Sequence, residues 1–139
     1  MNWKLIFQLS LFGLAMAIGT VFFIPSNIEP FIWLPIFIGC AYLIAANSGG
    51  NAFLHGLMVG IVNSIWITAA HVLLFDTYMA NHAKEAAMMA KMPQGFSARV
   101  MMACVGPIIG VISGVVLGLF ALVASLIVRR GSKDPAPAA

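Results

Sequence analysis

Three histidines, two cysteines and four carboxylic acids are the groups in this sequence from which reactive chemistry could be built. Hydrolytic work needs a nucleophile, a base within reach of it and a third group that orients the base. The acids are Glu29, Asp76, Glu85 and Asp134. None lies deep in an apolar run, so the spacing offers no carboxylate pair. A haem held by two histidines across a helical bundle requires ligands on different helices. Here His55 and His71 fall on one expected helix and His82 in a polar segment. Met79, Met88, Met89 and Met92 surround His82, with Met101, Met102 and Cys104 further on. Thioether, imidazole and thiol ligands suit Cu(I), but no tight ligand spacing repeats, and methionine also serves as an adaptable apolar filler. Cys40 and Cys104 sit in apolar runs and read as small buried hydrophobes, without a disulfide framework. The chain is therefore expected to be non-enzymatic, with no metal and no cofactor.

A second group of polar side chains is arranged for hydrogen bonding. Asn63, Ser64, Thr68 and His71 lie with Gly56 and Gly60 on one side of a helix, within about 140° of one another at 3.6 residues per turn. His55 falls elsewhere on the wheel and is assigned to the membrane interface. An intramembrane Asn or His facing lipid is costly, so this face should turn into a bundle or a wet cavity. The expected role is hydrogen bonding between helices, and the competing one is the lining of a pocket or pore.

The elements that must position these groups follow from composition. The chain is 62% hydrophobic and 8% charged, with a mean hydropathy of +1.02. A soluble domain with so few charges could not cover its surface, whereas a bundle facing lipid need not. The fold expected is an all-α polytopic membrane protein, one domain over 1–130 with a disordered tail over 131–139. Spans are expected at 5–24, 30–47, 53–75 and 101–128. The first is read as uncleaved, because the run is longer than a signal-peptide core and Phe22 to Pro25 is no small-residue cleavage site. Pro35 should kink the short second span, for which a re-entrant segment is the alternative. The Asn47 to Asn51 connection, with two glycines, predicts a tight hairpin into the third span. Asp76 and Thr77 should cap a surface helix over 78–92, ended by Pro93 and Gly95. Ser97 is the expected N-cap of the last helix, with Phe96 and Met101 as a hydrophobic staple.

The last span carries the strongest packing signal. Gly106, Gly110, Gly114 and Gly118 recur every fourth residue and form a ridge without side chains, through which helices in lipid approach closely. Gly56 and Gly60 offer a matching small surface, so the ridge should pack on the third span, with another subunit as the alternative. Lys4, Arg129, Arg130 and Lys133 flank the termini, against Lys84, Lys91 and Arg99 on the other side of the membrane. That balance favours cytoplasmic termini. The net charge of +3 comes mostly from residues flanking apolar runs, which excludes a nucleic-acid footprint and suits lipid headgroups. The layout is similar to that of many small bacterial membrane proteins, which implies an inner-membrane location, and the residues point to no particular family. The function expected is that of a membrane subunit or scaffold associating with itself or another membrane protein. A small-solute channel or transporter lined by Asn63, Ser64, Thr68 and His71 is the alternative.

Overall fold

The two glycines at Gly49 and Gly50, both at positive φ, reverse the chain between helices that then part company, and this divergence shapes the molecule. The computed structural model describes residues 1–91, 93, 95 and 97–131. Six helices are present among them: α1 (Trp3–Phe22), α2 (Glu29–Asn47), α3 (Ala52–Leu73), α4 (Phe75–Asn81), α5 (Ala83–Met89) and α6 (Ala98–Gly131). Helices α1, α2, α3 and α6 are long and apolar enough to cross a membrane. The expected staple at Phe96, the end of the surface helix at Met92 and the tail beyond Gly131 lie outside the described residues.

Local signals account for most helix ends. The Asn2 side chain accepts from the Leu5 N–H and starts α1, so this helix begins two residues before the expected span. Glu29 and Pro30 occupy the first turn of α2, where proline's missing N–H costs nothing. Ser97 precedes α6, and its hydroxyl accepts from the Val100 N–H at 3.5 Å. Both Pro35 and Pro107 lie inside continuous helices.

The single surface helix expected over 78–92 is replaced by two short ones. His82 interrupts them with a non-helical backbone (φ −127°, ψ 71°), and its buried ring reaches Ile24 at the far end of α1. Asp76 and Thr77 lie within α4 rather than capping it. Asp76 forms an ion pair with Arg99 at 2.7 Å.

Packing follows the order α1, α3, α6, α2, with α3 and α6 sharing the largest interface. The contacts of α3 and α6 are antiparallel and in one register: Gly56 against Gly118, Gly60 against Gly114, Ser64 against Gly110 and Thr68 against Gly106. A Cβ at Gly56 would stand 2.6 Å from the Gly118 Cα, so only glycine fits on either side of that rung. On the opposite side of α3, Ser10, Gly13, Ala17 and Thr20 form a buried stripe on α1 at helical spacing. Buried apolar residues gather at one end of the bundle: Ile6 and Leu9 from early α1, Cys40 and Ile44 from late α2, Val59 from α3, Leu117 and Ala121 from late α6. The start of α1 and the end of α6 belong to this end. The expected tight pairing of α2 with α3 is not found, for α2 leaves α3 after the turn and rests on α6.

Candidate functional site: a half-open cleft between α2, α3 and α6

The divergence of α2 from α3 has a cause in side-chain volume. The first half of α2 carries Phe31, Ile32, Trp33, Leu34, Ile36 and Phe37, while its buried contacts are confined to Cys40, Ala41 and Ile44. Small residues allow close approach at that end only. At the other end the bulk of α2 stands off from α3, and a half-open cleft of about 640 Å³ lies between α2, α3 and α6. That volume is within the range of about 300–1,000 Å³ occupied by small-molecule sites.

The structure brings Asn63, Ser64, Thr68 and His71 together on the inner wall of this cleft, along with Gly60, Gly106 and Gly110. Gly56, Gly114 and Gly118 stay within the α3–α6 contact. The four polar side chains have different surroundings. Ser64 donates to the Ile61 carbonyl at 2.7 Å, which satisfies its hydroxyl within α3. His71 reaches across to α1, its Nε2 lying 2.9 Å from Thr20 Oγ1. Thr20 Oγ1 also lies 2.9 Å from the Met16 carbonyl and 3.1 Å from the Ala17 carbonyl, so this hydroxyl joins the backbone of α1 to His71. Asn63 packs its Oδ1 against Gly13. That oxygen and Thr68 Oγ1 are buried without hydrogen-bond partners, and both sit in helix seams rather than in the open cleft.

A stack of three rings closes the end remote from the termini. His71 and Tyr78 have ring centroids 4.2 Å apart, and Tyr78 and His82 are 4.0 Å apart. His82 Nδ1 faces the Tyr78 carbonyl at 2.9 Å and Nε2 the Ile24 carbonyl at 3.2 Å. A neutral imidazole donates to only one of these at a time. Both ring nitrogens face backbone carbonyls, and neither is turned toward the neighbouring methionines. Asn81 donates to the Val21 carbonyl, one of the last carbonyls of α1 that lack a helical partner. Burial, and then the negative charges of Glu85 and Glu29, push the Tyr78 phenol up to about 12. It remains a neutral donor at ordinary pH.

Glu29, Trp33, Tyr78 and Glu85 belong to the cleft wall, and sequence reasoning did not connect them. The signal present was the four-residue step from Glu29 to Trp33, which in α2 becomes a hydrogen bond from Trp33 Nε1 to Glu29 Oε1 at 3.0 Å. Trp33 packs edge-on against Phe37, centroids 5.6 Å apart, and Phe37 against Phe120 of α6 at 6.5 Å. An aromatic wall thus runs from a carboxylate into the apolar depth of the cleft.

The other singled-out residues lie elsewhere. His55, expected at the membrane interface, lies in the first turn of α3 and is fully buried. Its ring accepts from the Asn2 N–H at 2.8 Å and donates from Nδ1 to the Asn51 carbonyl, tying the start of α1 to the start of α3. Cys40 is buried, but Cys104 is exposed on α6. Among the described residues no three of His, Cys, Asp and Glu converge as metal ligands would. Comparison with protein-family models, with curated proteins and with solved structures found no match.

Proposed function

We propose that this chain is an integral membrane protein, its α1, α2, α3 and α6 crossing the bilayer, and that it acts without catalysis by holding a lipid-soluble small molecule in the α2–α3–α6 cleft. The observation that carries this reading is the cleft itself: it is half-open, mostly apolar and lined on one wall by the polar face of α3. The glycine ridge supports it indirectly. Its close-contact surface is taken up by α3 of the same chain, which leaves association through the ridge without a free face. The exposed apolar faces of α2 and α6 suit lipid or a second copy. A second reading, passage of a small solute through an oligomer, is favoured by the opening on one side, which another subunit would close. Both readings place the protein in a bacterial inner membrane with cytoplasmic termini.

Binding of a neutral, environment-sensitive fluorophore to the purified protein in a maltoside detergent tests the main reading. Val105 lines the cleft, and Val105→Trp fills it. Saturable fluorescence in the parent protein that is lost in the folded variant supports the cleft. Equal signal from both places the dye in the detergent belt and removes the reading. Topology is tested separately with single cysteines at Ser97 and Ser132 in a background where Cys40 and Cys104 are alanine. Labelling from opposite sides is expected, and labelling from one side means that a span has been miscounted.

A further inference from the structure

The two ends of the cleft differ in character, and the difference specifies a ligand. At the end remote from the termini, the Glu29 and Glu85 carboxylates belong to the wall together with the neutral Tyr78 hydroxyl. Glu29 opens α2, and Tyr78 and Glu85 stand on α4 and α5, so all three line the end of the cleft remote from the start of α1. Away from this corner the wall becomes aromatic and aliphatic: Trp33, Phe37, Ile109 and Phe120. No lysine or arginine is among the described wall residues. Lys84, beside Glu85 on α5, is exposed and lies off the wall, and Arg99 is engaged with Asp76 and the Phe75 ring. His71 completes the corner, with Nε2 committed to Thr20.

From this placement we infer that the cleft takes a lipophilic amine, its cationic head between Glu29 and Glu85 beside the Trp33 ring and its apolar body along Phe37 and Ile109. This rests on the cleft reading above and names the ligand class. Carboxylates and the face of a Trp ring attract an ammonium ion, more strongly where water is partly excluded; the Tyr78 ring is covered on both faces by His71 and His82 and contributes only its hydroxyl end. A phospholipid is the wrong occupant. Its phosphate would face two carboxylates on a described wall without lysine or arginine, Lys84 acting on Glu85 only from the exposed side of α5, so bilayer lipid is discriminated against by like charge. The amine comes instead from the pool of dissolved hydrophobic cations that partition into membranes.

Three probes with the same dodecyl chain separate the alternatives: dodecyltrimethylammonium, dodecyl phosphocholine and dodecyl sulfate. Each competes, below its micellar concentration, with the neutral fluorophore on the full chain in maltoside. The ammonium probe is expected to displace the fluorophore at a concentration at least about tenfold lower than the other two, equivalent to about 1.4 kcal/mol. Glu29→Gln with Glu85→Gln should erase that advantage, the ammonium probe then displacing the fluorophore no better than the other two. Both side chains are half-buried near helix ends, and melting temperature reports whether the double variant is folded. The single variant Glu85→Gln, with a partial loss expected, keeps the test open if it is not. Equal displacement by all three probes, or preference for the sulfate or phosphocholine, overturns the amine assignment and leaves the cleft standing. Failure of the fluorophore to bind overturns both.

Discussion

Helices α1 and α2 are near-equal in length and both strongly apolar, yet 44% of the apolar window of α1 is buried in the bundle against 17% of that of α2. Hydrophobicity cannot distinguish them, because lipid is as good a solvent for leucine as a neighbouring helix is. What separates them is the distribution of small and hydroxyl side chains. On α1, Ser10, Gly13, Ala17 and Thr20 run along one face through its middle and last turns, and contacts with α3 extend from Asn2 against His55 to Thr20 against His71. On α2 the small residues are confined to the second half, from Gly39 to Ala46, and the buried residues Cys40, Ala41 and Ile44 lie there. In this bundle, burial is allotted by side-chain size, and the bulky half of α2 becomes the wall of a cleft.

The comparison breaks most completely if the helices that support α1 and α2 are separated. Gly60→Leu or Gly114→Leu drives a side chain into the facing backbone, where no rotamer relieves it, and should cost more than about 3 kcal/mol. Loss of the cooperative melt in detergent is the expected readout. Val115→Leu, one residue off the ridge and more than a third exposed, should melt like the parent. If Gly114→Leu does the same, the small-residue account is wrong.

A smaller effect is expected from the α1 side. Gly13→Ala would place a methyl group against the Asn63 amide, which can move only by repacking α1 on α3, at a cost of about 1–3 kcal/mol. Because α2 does not use this seam, fluorophore affinity should change much less than melting temperature. Parallel losses of both would show that the cleft depends on α1 after all.

Thr20→Val removes the partner of His71 Nε2 while keeping shape. Polar contacts between membrane helices average roughly 0.6 kcal/mol, with a maximum near 1.7, so a shift of a few degrees at most is expected. The smallest effect belongs to α2. A Cβ at Gly39 would meet nothing within 4 Å, and Gly39→Ala should stabilise by about 0.5–1 kcal/mol through helix propensity alone. A destabilised Gly39→Ala would mean that α2 is held along its whole length, and the contrast with α1 would collapse.

Much of this was legible in the residues. The four apolar helices follow from run length, and the pairing of α3 with α6 from Gly56 and Gly60 on one helix and the ridge from Gly106 to Gly118 on the other, although the register that sets Gly56 against Gly118 does not. The face holding Asn63, Ser64, Thr68 and His71 follows from helical periodicity. Other features depend on partners far away in the chain. The break at His82 cannot be seen locally, since its neighbours Met79 to Met89 are good helix formers and its partner carbonyl at Ile24 is 58 residues away. His55 looked interfacial because its position on the wheel says nothing of Asn2, which is 53 residues distant. The acidic corner was missed because Glu29 and Glu85 belong to separate connections that only the end of the bundle brings together.

The rungs between α3 and α6 also settle a matter of counting. A glycine at every fourth position invites a slip of about 6 Å along the helix axis, after which glycines would meet glycines again. These rungs forbid it because they are unequal. Slipped one step in one direction, Thr68 would face Met102; slipped in the other, Gly56 would face Leu122. Only the observed alignment keeps a short side chain or none on both sides of all four rungs, as a vernier reads true at one mark. The helices thus measure their own offset, and the segment joining them is relieved of that task. Insertions there can lengthen or shorten the chain without changing where α6 comes to rest.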